Sequence, residues 1–121
     1  MRRAGRDAAK TRAADDVHAF RRRVKAFQYQ LEVAQTVPGL DAGDARRGAA
    51  RLAGALGEIT DAQLVARLVI DSKAEVSART RKRLLGALGM QRDKRLDRAF
   101  ARAEPLTAVR PRRFRRRLLA R

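Results

Sequence analysis

Five side chains on one short stretch of this chain can do the same chemistry. His18, Arg21, Arg22, Lys25 and Tyr29 fall within V-H-A-F-R-R-R-V-K-A-F-Q-Y-Q-L-E, residues 17–32. At about 100° per residue, that spacing sets them along one shoulder of a helix. Each can donate a proton to an anion's oxygen. An arginine fork fits phosphate oxygens bidentately, and lysine acts as a point charge. Few carboxylates stand beside them, so the ladder suits a long polyanion. Like charges at these steps repel by a few tenths of a kcal/mol per pair, a cost that a bound polyanion would relieve. His18 is the single histidine and the chain has no cysteine, so no metal site is expected. A phosphate beside His18 would favour its protonated form. A structural His18, and a Tyr29 half-buried in the core, are the competing readings.

Two further cationic groups are candidates. Arg46, Arg47 and Arg51 read as the polar flank of a second helix. Arg79, Arg81, Lys82 and Arg83 lie near a helix start, where backbone amides also attract anions. For both groups a merely solvated face competes evenly with binding. Thr60 and Asp61 read as residues that cap a helix and shape a turn. The chain carries no Ser/His/Asp set, no phosphate-cradling glycine loop and no carboxylate pair at a useful spacing. It reads as a non-enzyme without a cofactor.

Helices must position these groups. Val17, Phe20, Val24, Phe27 and Leu31 recur at three- and four-residue steps, so the ladder's helix also has an apolar face. Asp15 and Asp16 suit its N-terminus, and Pro38-Gly39 stops it near Thr36. A second helix is expected from Asp41 or Asp44 to about Leu56, with Gly57 as C-cap. Thr60 with Gln63 has capping-box spacing and should open a third, with Leu64, Val65, Leu68 and Val69 inward and an end near Asp71. Ser72 with Glu75 should open a fourth, carrying Val76, Leu84, Leu85, Leu88, Leu96, Phe100 and Ala103 as apolar positions. Gly86 and Gly89 are possible kinks in it, and Pro105 should end it. Residues 1–14 read as a basic arm or frayed helix. Residues 107–121 read as an Arg-rich tail in which Phe114 and Leu118 permit a short amphipathic helix after Pro111. No strand signal occurs. The expected fold is all-α, an antiparallel four-helix bundle over residues 15–106 with basic terminal extensions.

Composition agrees with an anionic partner. The 121 residues make one domain, with a formal charge of +17 and arginine as 25 of the 30 basic residues. That balance points to nucleic acid, inorganic polyphosphate or an anionic membrane surface. Genomic drift toward arginine and alanine would explain the count but not its patterning. No apolar run approaches the ~18 residues of a membrane span, and no signal-peptide core follows the basic N-terminus. A cytoplasmic protein is expected. Alanine supplies much of the 45% hydrophobic content, so one small bundle buries little area. A homodimer is expected.

Two segments together resemble one family. The first is H-x-x-R-x-x-x-K-x-F-x-Y-x-L-E, His18 to Glu32. The second is Leu52-Ala53-Gly54-Ala55-Leu56-Gly57-Glu58-Ile59-Thr60-Asp61, which is similar to L-x-x-x-L-G-E-x-x-D. In this order and at this separation they resemble the conserved-histidine α-helical domain, CHAD, over residues 17–71 and, with the fourth helix, to about 104. The resemblance implies an all-helical fold of two similar four-helix bundles whose basic residues line a groove that binds inorganic polyphosphate, often at polyphosphate granules. Some members are fused to triphosphate-cleaving domains. The chain departs from the pattern in three ways. Lys25-Ala26-Phe27-Gln28-Tyr29 stands where K-R-L-R-Y is usual, which removes two basic positions that Arg22 and Arg23 would offset. Leu52-Ala53-Gly54 stands where L-Q-D is usual. Only one copy of the motif pair is present, so the resemblance implies half a CHAD domain, with two chains rebuilding the whole.

The expected function is non-enzymatic binding of polyphosphate. The rivals are a nucleic-acid or nucleoid-binding protein, for which 4% aromatic content offers few stacking platforms, an accessory piece of a triphosphate hydrolase, and a degenerate half-domain without a ligand.

Overall fold

Val17, Phe20, Val24 and Leu31 are all buried along one face of α2 (Ala14–Gln35), the helix that carries the ladder. Asp15 and Asp16 occupy its first turn, where carboxylates complement the helix dipole. Gly39 takes φ 85°, a left-handed turn conformation that glycine adopts without steric cost, just beyond its end. The computed structural model describes residues 1–71, 77–108 and 111–119. Among these the chain is all-helical, with five helices: α1 (Arg2–Thr11), α2, α3 (Gly43–Asp71), α4 (Ala78–Thr107) and α5 (Pro111–Leu119).

The largest departure from expectation lies in α3. The expected second and third helices are one helix of 29 residues, and Gly57 lies inside it instead of capping it. The reason is burial. Leu52, Leu56 and Ile59 continue a single apolar stripe straight through the glycine, and all three are fully buried. Thr60 does not cap either; its hydroxyl donates to the Leu56 carbonyl one turn back at 3.1 Å, which satisfies it within the helix. Leu64, Val65 and Leu68, expected to face inward, are exposed.

At its other end α4 also differs. Its N-cap is Ser77, whose Oγ accepts from the Thr80 amide at 3.2 Å. The expected box of Ser72 and Glu75, and Val76 with it, lie outside the described residues. Gly86 and Gly89 do not interrupt the helix, and it runs through Pro105 to Thr107. Leu106 packs on both apolar clusters and against Gly48 of α3, and that burial holds the last turn beyond the proline.

The segment expected as an N-terminal arm is α1. Its Gly5 and Ala8 are buried, and a Cβ on Gly5 would meet Phe20 Cε1 at 3.0 Å. A small residue there lets α1 lie close on α2. The chain then reverses at Arg12, a non-glycine residue at φ 53°. Its guanidinium pairs with Asp97 at 2.9 Å, donates to the Asp93 carbonyl at 2.9 Å and lies 5.9 Å from the Phe100 ring centroid. These contacts fasten the α1–α2 corner onto α4. Thus α2 packs on α1 and α3, α3 packs on α4, and α1 touches α4.

The main core joins Phe20, Val24, Leu52, Leu56, Ile59 and Leu96 with small alanines from α1 and α4. A second cluster around Leu31 and Ala49 takes in Phe27, Phe114 and Leu118. The basic C-terminal segment therefore contributes a folded helix, with Phe114 on Phe27 at 5.5 Å between ring centroids and the Asp41 amide donating to the Leu118 carbonyl at 3.0 Å.

Candidate anion-binding surface

The site begins with how α2 meets α3. Burial of Phe20 and Val24 turns the next positions, Arg21 and Lys25, to the helix's shoulder. They lie about 40° apart around α2, with His18 about 20° from Lys25. Arg21 is half-buried and lies across α3 at Gly57. A Cβ at position 57 would stand 3.1 Å from Arg21 Nη2, 3.4 Å from Cζ and 3.5 Å from Nε. Gly57 is thus a seat for a guanidinium. Arg21 Nε is buried there without a hydrogen-bond partner.

His18, Lys25 and Tyr29 are exposed beside it, and Tyr29 retains 59% of its surface. A half-buried core role for Tyr29 is excluded by that exposure. Arg22 lies about 60° farther around α2 than Lys25. It lines a shallow hollow of about 400 Å³ with Arg23, Ala19 and Ala26, on the outward side of the helix. Around α2 the five groups span about 100°, in the order Arg21, Lys25, His18, Tyr29 and Arg22, with Arg21 at the α3 edge and Arg22 at the outer edge.

The cations of α3 also spread around their helix. Arg46 is eleven residues before Gly57, within about 20° of it around the helix, and is half-buried on the α2 side. Arg51 is six residues before Gly57, about 120° away, and is exposed. Arg47 is ion-paired with Asp44 one turn earlier. Of the three, Arg46 shares the Gly57 stripe, and Arg47 and Arg51 lie exposed about 40° apart on the polar flank. Arg79, Lys82 and Arg83 are exposed and Arg81 is half-buried at the start of α4, at the far end of the α3–α4 pair from the Arg46 turn.

Charge compensation is scarce where it matters. Among the described residues the ion pairs are Arg12–Asp97 and Arg47–Asp44. Arg21, Arg22, Arg23 and Lys25, four cations within five residues, pair with no carboxylate there. No group of three or more His, Cys, Asp or Glu side chains comes together among the described residues. Nor is any helix among them long and apolar enough to cross a membrane.

Sequence reasoning missed Gly57 as the seat of Arg21, because it assigned that glycine to a helix end. The spacing did hold a signal: Leu56 and Ile59 on either side continue the apolar period. It also missed Arg12, whose backbone conformation no local pattern announces. No protein-family model, curated protein or solved structure matches the chain.

Proposed function

We propose that this chain binds long inorganic polyanions, polyphosphate foremost, without turning them over. The observation that carries the reading is the cation cluster of α2, which pairs with no carboxylate among the described residues, with the Arg21 guanidinium seated on Gly57. Repulsion among these cations lowers helix stability, and a chain of phosphates alongside would reverse the sign of that term. Phosphate oxygens accept from guanidinium forks in bidentate geometry. His18, Lys25 and Arg46 flank the seat and would extend the contact along the α2–α3 junction. The motif resemblance to one CHAD repeat supports the same ligand class, association with polyphosphate granules, and a pair of copies bringing two such junctions to one polymer.

The test is fluorescence anisotropy with end-labelled long-chain polyphosphate at low salt. Binding is expected, and it should weaken steeply as salt rises, because cations on the protein displace condensed counterions. Specific use of the α2 shoulder is tested by matched charge removal. Arg21→Ala with Lys25→Ala should cost more affinity than Arg115→Ala with Arg116→Ala, two exposed arginines of α5. No binding by folded protein at low salt would reject the reading, and equal losses from the two pairs would reduce it to bulk charge.

Nucleic acid is the second reading, favoured by the exposed Tyr29, which offers a stacking face beside the same cations. Duplex and single-stranded DNA that displace polyphosphate at equal phosphate concentration would favour it.

A further inference from the structure

The far ends of α3 and α4 leave six large apolar side chains open to solvent. Between Ala62 and Ile70 the polar residues are Gln63 and Arg67. Gln63 is half-buried toward α4, where its side-chain oxygen, turned toward Arg92, accepts from Nε at 3.0 Å and Nη2 at 3.2 Å. Ala62, Ala66, Leu85 and Leu88 line the cleft around that contact and are partly buried, but other apolar side chains lie open. Leu64, Val65, Leu68 and Ile70 retain 57%, 50%, 70% and 57% of their surface, and Leu84 and Met90 of α4 retain 41% and 66%. At about 100° per residue, Leu64, Val65, Leu68 and Ile70 spread around well over half of the helix. Neither α1 nor α2 adds cover there, since Leu64, Val65 and Leu68 stay open on the side that α2 covers farther back along α3. A helix apolar on several sides is a helix that belongs in an interior.

We infer that a second copy of this chain covers this hairpin end, with the two hairpins antiparallel, tip against base. Charge argues for that occupant. The α3 half of the hairpin, residues 58–71, holds three carboxylates (Glu58, Asp61, Asp71) against one base (Arg67), in a chain of net charge +17. The start of α4 holds Arg79, Arg81, Lys82 and Arg83. Antiparallel pairing about a two-fold axis brings the basic tip of each copy to Glu58 and Asp61 of the other, twice, as an isologous interface requires. Area argues the same way. Six side chains offering about 100 Å² of apolar surface each remove on the order of 1,200 Å² from water in a pair, the lower bound of a specific interface. An anionic lipid surface would meet the carboxylates of α3, Glu58, Asp61 and Asp71.

This deepens the preceding reading, which calls for paired copies, by naming the face that pairs them; assembly is measured without polyanion, so the two fail separately. Sedimentation velocity on the full chain in 0.5 M salt should give the mass of two chains at tens of micromolar. Leu64→Glu with Leu68→Glu should give one chain's mass with unchanged helical circular dichroism, since both side chains lie outside the core. Should that variant lose helicity, Leu64→Ser with Leu68→Ser serves in its place. Arg79→Glu with Arg83→Glu should weaken the dimer at least tenfold at 0.1 M salt, and adding Glu58→Arg with Asp61→Arg should restore it. A wild-type chain that is monomeric throughout, or a dimer indifferent to both sets of substitutions, overturns the inference. So does a monomer that sediments with phosphatidylglycerol vesicles in a Leu68-dependent manner. A monomer that still binds polyphosphate overturns this inference and leaves the preceding one standing.

Discussion

Arg21 and Gly57 behave as one unit, because the guanidinium occupies the volume that any other side chain at 57 would take. Gly57→Val should therefore act on binding through Arg21. The expected result is a loss of about fivefold in polyphosphate affinity, the equivalent of about 1 kcal/mol for one charged contact, measured by anisotropy. In an Arg21→Ala background the same substitution should have little further effect, because the guanidinium it displaces is already gone. Phe20 illustrates the opposite kind of residue. It is fully buried, stacks at 6.4 Å on Phe100 and receives Gly5 of α1. Phe20→Ala should lower unfolding free energy by about 3–5 kcal/mol, measured by urea denaturation. Gly5→Ala should cost about 1–3 kcal/mol by overpacking against the same ring.

At the scale of elements, α1 and α5 are short helices whose standing depends on what they touch. Ten and nine residues are too few for stable isolated helices. α1 is held by Gly5 and Ala8 against α2 and by the Arg12 contacts to α4. The Arg12–Asp97 pair has side chains 34% and 69% exposed, so its own worth is at most about 1 kcal/mol. α5 rests on Phe114 and Leu118. A double-mutant cycle of Phe27→Ala and Phe114→Ala should return a coupling of about 0.5–1.5 kcal/mol, read from thermal or urea unfolding; a coupling of zero would mean that α5 is not docked in solution. Docked α5 also presents five exposed arginines. In the proposed function these would add to any polyanion's affinity without choosing among polyanions.

The whole molecule joins two opposed tendencies. A charge of +17 on 121 residues pushes copies apart, while a core in which six of the fourteen buried apolar residues described are alanines leaves larger apolar side chains to cover. Under the proposed function, a bound polyanion would relieve the first. The logarithm of affinity should fall linearly with the logarithm of salt concentration, and each cation removed from the contact should flatten the slope by about one unit. Titrations of wild type and of Arg21→Ala with Lys25→Ala at several salt concentrations measure this, and an unchanged slope would place the contact elsewhere on the surface.

Local pattern alone reached the all-helical class, the span of α2 within about a residue at each end and a helix after Pro111. These follow from periodicity, from Pro38-Gly39 and from the first-turn carboxylates, all of which act over one or two turns. It also set His18, Arg21 and Lys25 on one shoulder of α2, but it did not place Arg21 on Gly57. Long-range burial settled the rest. Leu52, Leu56 and Ile59 share one core, so the helix runs through Gly57, and Leu106 finds Gly48, so α4 outlasts Pro105. Arg12 reaches Asp97 across 85 residues of chain, and Leu64 and Leu68 lie beyond the reach of α2. Each of these depends on which distant side chain fills a given volume, and a run of neighbouring residues does not encode that.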